Sequence, residues 1–341
     1  MIRYRSIFPQ SQRDNYGEND NVDWVLSLEN ESVIPGTVRI EGIVQAYSAA
    51  GPPIVPITGL QDVAFDHHAG AHSLFRDFTT EFQKLGVVEN FVNYPRHVKM
   101  QTFASLTDDA LGTESGNSVE MVCPTHAAAK GLLEGNSTEL SVEKGKNGMS
   151  FSIKPRICIN KASGPLSSQA TGQIRIRTRL AANREVLYGD DAAPAYGYQL
   201  SQLRLRYQTI PAPAQLQPVQ ISIMNGYRAI LDSNNQNIST FVPGLCDSLA
   251  MSFILQSDES SDTKNYLQCA PIPGVPPLGA SSSVDTNHYG IERLFYAIND
   301  TDTALVGFDL ESREEIVMNG LRALNANPEK YGALLRHQQD P

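Results

Sequence analysis

The residues best suited to chemistry lie in one short run, Asp66-His67-His68-Ala69-Gly70-Ala71-His72. Histidines four apart, such as His68 and His72, can share a metal on one helical face. Here Gly70 interrupts the spacing, no Glu stands in the base position of an HExxH motif, and the flanks read as strand. A strand would keep His68 and His72 on one face but roughly 13 Å apart. His67, His68 and His72 therefore read as turn and interface residues, and no metal site is expected. The acid pairs Asp108-Asp109 and Asp190-Asp191 stand in turn-like sequence and read as solvated carboxylates. No GxSxG elbow, P-loop or strand-to-helix GxGxxG occurs. Cys123, Cys158, Cys246 and Cys269 lie far apart and read as reduced, mostly buried thiols. The expectation is a protein with no catalytic residues and no cofactor.

The elements that position these residues are short and sheet-forming. The chain has 341 residues, 41% hydrophobic and only 19% charged, with 25 Gly and 20 Pro. That charged fraction is too low for coiled coil or disorder, and the turn residues suit many short strands. A net charge of −10 excludes a coat for naked nucleic acid, so no direct sequence-specific nucleic-acid binding is expected. No apolar run reaches the roughly 20 residues of a membrane span, and the N-terminus lacks a signal-type apolar region, so the product is expected to be soluble and intracellular at birth.

Period-two patterns mark the strands. Val38 and Ile40 alternate with Arg39 and Glu41 in 37–47, where Gly42 suggests a bulge. In 151–159, Phe151, Ile153, Ile157 and Ile159 share a face opposite Lys154, Arg156 and Cys158, with Pro155 marking an edge or bulge. In 172–180, Ile174, Ile176, Thr178 and Leu180 oppose Arg175, Arg177 and Arg179, arginines expected to pair with acids across a protein interface. The pattern in 198–207 changes face, which a bulge near Ser201–Gln202 would explain. Trp24, the single tryptophan, falls outside this series. The proline-rich stretch 209–218 reads as a linker, after which strand patterns resume at 219–224, 227–231, 249–256, 266–269, 291–298 and 304–310. Only 312–325 reads as helix, with Ser312 and Glu315 at capping-box spacing.

Two stretches carry more than β-pattern. Gly70-Ala71-His72-Ser73-Leu74-Phe75-Arg76, followed by Asn93-Tyr94-Pro95-Arg96, resembles the G-x-HSLF…YP-R pattern of double jelly-roll major capsid proteins. These belong to tailless icosahedral double-stranded DNA viruses, the lineage of virophages, membrane-containing phages and the adenovirus hexon. The order of strands across 172–207, with Asn183–Tyr188 and Tyr198–Leu203, is similar to the closing part of that family's first roll, and Val242-Pro243-Gly244-Leu245 sits where its second would be. The chain is short for the family.

The resemblance implies an all-β fold of two tandem eight-stranded jelly-roll sandwiches with a short C-terminal helix. Its expected layout is an N-terminal arm at 1–20, a first roll at 21–209 with a long insert at about 107–148, a linker at 210–218, a second roll at 219–311, and a helix and tail at 312–341. It implies a structural virion protein in the capsid shell, made in the host cytoplasm, self-assembling as homotrimeric pseudo-hexagonal capsomers. Implied partners are itself, minor capsid or penton proteins, and an internal membrane or inner layer reached by the N-terminal arm or C-terminal helix. A minor vertex or spike protein of such a virion is the alternative, followed by a carbohydrate-binding jelly-roll module.

Overall fold

The computed structural model describes residues 2–48, 55–56, 63–105, 120–122, 148–189, 196–226, 228, 266–267, 293–298 and 301–309. The chain opens with β1 (Arg3–Ile7), β2 (Asn15–Tyr16), β3 (Asn21–Leu26), β4 (Glu31–Val33) and β5 (Arg39–Ser48). Two short strands, β6 (Val55–Pro56) and β7 (Val63–Ala64), precede a 3-10 helix, Gly70–Leu74. Then come β8 (Phe75–Phe82), β9 (Gly86–Phe91), α1 (Tyr94–Ser105), β10 (Met149–Ile153), α2 (Cys158–Lys161), β11 (Leu166–Ser167) and α3 (Ser168–Thr171). The first unit ends with β12 (Ile174–Leu180), α4 (Asn183–Val186), β13 (Tyr188–Gly189) and β14 (Tyr196–Pro211). Farther on, β15 (Arg293–Ile298) pairs with β16 (Thr301–Asp309).

Strand pairing identifies the architecture. In one sheet β1 pairs with β14, β14 with β5, and β5 with β10; in the other β3 pairs with β12, β12 with β8, and β8 with β9. Taking these eight strands in chain order, first meets last, last meets third, third meets sixth, while second, seventh, fourth and fifth line up in the other sheet. That crossing pattern is a jelly roll, two Greek keys folded into a sandwich. The remaining short strands β2, β4, β6 and β11 extend the first sheet to eight members. Arg3–Ile7, expected to belong to an arm outside the roll, is thus its first strand.

The core lies between the sheets, and the alternation that announced the strands is what fills it. Val22, Trp24 and Leu26 of β3, Ile174, Ile176 and Leu180 of β12, and Phe75, Phe78 and Phe82 of β8 face Ile40 and Val44 of β5 and Phe151 and Ile153 of β10. Trp24, expected outside the strands, is fully buried on β3. Arg175 and Arg177 pair with Asp23 and Glu81 on the strands flanking β12, and Arg179 donates to Asn19. Their partners belong to this chain, not to an interface, because the neighbouring strands place opposite charges at diagonal positions, two residues off the paired register.

One bulge, not two, resolves the change of face in β14. Its register with β5 shifts between Ser201 and Arg204, with Gln202 at φ 52°, so Gln202 and Leu203 stand opposite Gly42. Buried residues accordingly switch from Tyr198 and Leu200 to Leu203, Leu205 and Tyr207. Gly42 is the counterpart of that bulge: a Cβ there would lie 3.1 Å from the Phe151 ring and 3.2 Å from Leu203 Cδ1.

Other expectations are corrected. The strand expected over 151–159 stops at Ile153; Pro155 cannot extend the ladder, and Ile157, Cys158 and Ile159 are all buried around the one-turn α2. The helix α1 was not legible, since it carries no clear apolar stripe, although Pro95 suits a first helical turn. β14 continues through Ile210 and Pro211 into the expected linker. Residues 219–224, expected to open a second roll, instead run without strand pairing along the first. Ser163 and Gln220 exchange two hydrogen bonds of 2.9 Å, and the Met224 N–H donates to Glu89 Oε1 at 3.0 Å. Most of the expected insert at 107–148, most of the second roll at 219–311, and the helix at 312–341 lie outside the described residues.

β1 is fastened by a single carboxylate. Glu31 of β4 is 5% exposed and accepts from Arg3 at 2.6 Å, Arg5 at 2.8 Å and the Thr209 hydroxyl at 2.9 Å. The hydrogen bond from Arg5 outweighs burial and holds this carboxyl below its ordinary range. A carboxylate so lowered contributes stability that is complete above the ordinary range and is lost as pH falls through the lowered value. Hydrogen-exchange protection of residues 3–7 should therefore fall at acid pH before that of β5 and β14; simultaneous loss would contradict it. Gly42→Ala should overpack the bulge and cost about 1–3 kcal/mol, seen as a lower urea midpoint with an unchanged slope.

Candidate functional site

The two motif stretches meet. The 3-10 helix Gly70–Leu74 delivers His72 into the interior, and α1 starts with Tyr94 beside it. His72 Nδ1 and the Tyr94 hydroxyl are 2.6 Å apart, and His72 Nε2 lies 3.4 Å from Glu120 Oε2. The Tyr94 oxygen also accepts the Arg156 N–H at 3.2 Å, and Glu120 Oε1 accepts the Lys154 N–H at 3.0 Å. Both His72 and Tyr94 are buried. Burial pushes the His72 imidazole below its ordinary pKa, against the pull of Glu120, and pushes the Tyr94 phenol upward. A neutral imidazole with a committed partner on each nitrogen is a bracket between segments.

The rest of the histidine run is also structural. Asp66 Oδ1 accepts the N–H groups of His68 at 3.0 Å and Ala69 at 2.9 Å, while its carbonyl accepts that of Gly70 at 2.7 Å. Lys99 of α1 closes on Asp66 Oδ2 at 2.6 Å. Gly70 takes φ 53°, and a Cβ there would lie 2.5 Å from the Glu120 carbonyl, so only glycine lets this turn pass the 120–122 segment. The His67 and His68 rings pack at a tilt with centroids 4.0 Å apart, and burial holds His68 at a pKa of about 3. His97, one residue after the YPR sequence, packs edge-on against Phe91 and is also held at about 3 by burial. Asp108-Asp109 and Asp190-Asp191 lie outside the described residues.

Arg96 completes the junction. It reaches a point 170 residues along the chain, its Nη2 donating to the Tyr266 carbonyl at 2.7 Å while the guanidinium lies 4.8 Å over the Tyr266 ring. Tyr266 and Leu267, expected to open a strand at 266–269, form a turn here, and Leu267 packs with Ala69. The junction thus joins the loop before β8, helix α1, the start of α2 and a downstream segment. Its second anchor was invisible in the sequence. Glu89 on β9 is fully buried and accepts from Cys158 N–H at 2.9 Å, Met224 N–H at 3.0 Å and the Thr80 hydroxyl at 3.4 Å. Burial raises its pKa, and the two backbone donors oppose the rise. A Glu in an alternating strand looks like a solvent-facing residue; only the tertiary arrangement supplies its three donors. Arg156, Glu120 and Tyr266 likewise carry no local signal.

No family model matches the sequence, and no curated protein matches it. Among solved structures the chain is similar to a quasi-atomic model of the PBCV-1 virus capsid, 13% identical, covering 61% of this chain and 42% of that one at a TM-score of 0.36. It is similar to the mavirus major capsid protein, 10% identical over 62% of this chain and 47% of that one, TM-score 0.32. The Sputnik virophage structure gives 10% identity over 63% and 49%, TM-score 0.35. The chain covers less than half of each of these chains.

Because His68 and His97 stay neutral in the fold and take up protons once unfolded, their contribution is complete above pH about 6.5 and is lost as pH falls towards 3. The melting temperature should decline through this window, and His97→Gln should flatten the decline. An unchanged slope in the variant would refute the role of His97.

Proposed function

We propose that the chain is a structural virion protein, a major capsid protein that self-assembles as trimeric, pseudo-hexagonal capsomers of an icosahedral shell. The observation that carries this reading is the junction: the residues behind the capsid-protein resemblance, His72, Tyr94 and Arg96, spend their polar groups on holding segments of a jelly roll together. Arg96 ties the roll to chain that follows it, the kind of coupling a rigid two-sandwich tile needs.

The surface supports the same reading. The segment after β1 bonds to β3, Gln10 N–H to the Asp23 carbonyl, whereas the segment after β10 bonds to β9 through Cys158 and Glu89. These contacts mark two opposite flanks of the sandwich. Large apolar residues are exposed near both: Ile2, Tyr4 and Phe8 beside β1, and Leu85 and Val87 at the β8–β9 hairpin. A cyclic trimer joins unlike faces of neighbouring copies, so two different exposed patches on opposite flanks fit it. Minor capsid or penton proteins, an internal membrane, location in the virion and synthesis in host cytoplasm belong to the same proposal, as does the second roll.

Light scattering of the purified full chain should give the mass of a trimer that persists on dilution, and Leu85→Lys combined with Val87→Lys should yield monomers. A stable pentamer would favour a vertex protein; a monomer retained on sugar columns would favour the carbohydrate-binding alternative. Either would overturn the major capsid reading.

A further inference from the structure

The outer faces of the two sheets treat their arginines differently. On β12, Arg175 and Arg177 each have a carboxylate of their own, Asp23 and Glu81. On the sheet of β1, β14 and β5, Arg204 and Arg206 share one: their Nε groups both lie on Glu41 Oε2, at 3.0 and 3.1 Å. Arg206 also stands directly opposite Arg39 of β5. Arg39 turns to the Ser152 carbonyl and hydroxyl and makes no ion pair among the described residues. Like charges directly opposite each other across a sheet are destabilising unless something else offsets them. At the β1 edge the shortage recurs. Arg3 and Arg5 share Glu31 Oε1, with Glu29 the further acid near Arg5, and the exposed Tyr4 stands between them in the strand. Arg204 and Arg206 are 42% and 52% exposed, so their remaining N–H groups are open to a partner.

The acid that this face lacks is in the rest of the chain. Residues 1–218 hold 22 acidic and 20 basic residues, whereas 219–341 hold 15 and 7, and so carry eight of the ten net negative charges. The subunit's own downstream chain is fastened elsewhere, Met224 to Glu89 on the edge strand of the other sheet and Tyr266 to Arg96 of α1. The geometry points to a docking face: Arg39, Arg204 and Arg206, with the β1 edge, receive the acidic 219–341 region of a neighbouring copy. This rests on the trimer reading and says which surfaces meet in it. A cyclic arrangement joins unlike faces, so each copy offers a basic face of its first half and the acidic second half. Arginine and tyrosine are also the residue types that interfaces favour.

Light scattering on the full chain at low salt is the first test. Arg204→Glu combined with Arg206→Glu should raise the concentration at which the trimer dissociates by about tenfold or more, and added salt should loosen the unmodified trimer. An unchanged trimer in this variant, or equal weakening by Arg175→Glu with Arg177→Glu on the other outer face, would overturn the docking face. A monomer before any substitution would strike the trimer reading itself, and this inference with it. Arg206→Lys keeps the charge and supplies an amine. Carbodiimide should then join that amine to an acidic residue of 219–341 in a second chain, seen as a dimer band under denaturing conditions and as the linked peptides by mass spectrometry. Links confined to one chain, or none to 219–341, would overturn the proposal, and this conservative variant decides the matter even where the charge-reversed one misfolds.

Discussion

Apolar contact between two sheets is the constraint from which the rest follows. Each sheet buries one face, so every strand must alternate, and a strand that loses phase must recover it. Ring packing sets the spacing: Phe75 meets Phe78 at 5.7 Å and Phe151 at 6.2 Å, while Phe78 meets Tyr94 edge-on at 4.7 Å. Burying a polar group in that layer is costly unless it brings a partner, and Trp24 Nε1 is an exception that goes without one among the described residues. Glu31, Glu89 and His72 obey this rule by gathering donors or acceptors from separate segments. Each is a place where apolar packing alone would leave the path of the chain undetermined.

Those polar brackets divide the work. Glu31 joins β1, β4 and β14 within one sheet, Glu89 joins β9 to α2 and to the segment leaving the roll, and His72 with Tyr94 joins loop to helix. The outer faces carry a different chemistry. Arg175, Arg177, Arg204 and Arg206 pair with Asp23, Glu81 and Glu41, Glu41 serving two of them, and such half-exposed pairs contribute little stability.

What the sequence disclosed was what period two can disclose. The strands at 39–48, 174–180 and 196–211 were legible because one face is core and the other is charged, and so was the bulge in β14. Gly42 gave a true signal of irregularity but could not say which strand held the extra residue. Trp24 and β1 were missed because their strands are short and flanked by polar residues, and α1 because tertiary contacts of Tyr94, Arg96 and Lys99 stand in for an amphipathic stripe. Of the histidines expected in a turn and at an interface, His67 and His68 lie in a turn, whereas His72 is buried in the 3-10 helix; the partners Tyr94, Lys99 and Glu120 lie 22 to 48 residues from their histidine or aspartate, where no spacing rule reaches.

The pairing of β1 with β14 sets a timetable for biosynthesis. Ile7 aligns with Leu205 and Arg3 with Thr209, so the roll's first strand, once made, waits for its last. At ordinary translation rates that interval is about 10 to 40 s. Throughout it the nascent chain carries half-built sheets with open edges and uncovered aromatic rings. A chaperone that shields emerging β-rich segments would find its substrate in this window, and copies translated side by side on one messenger would be the first hazard it guards against.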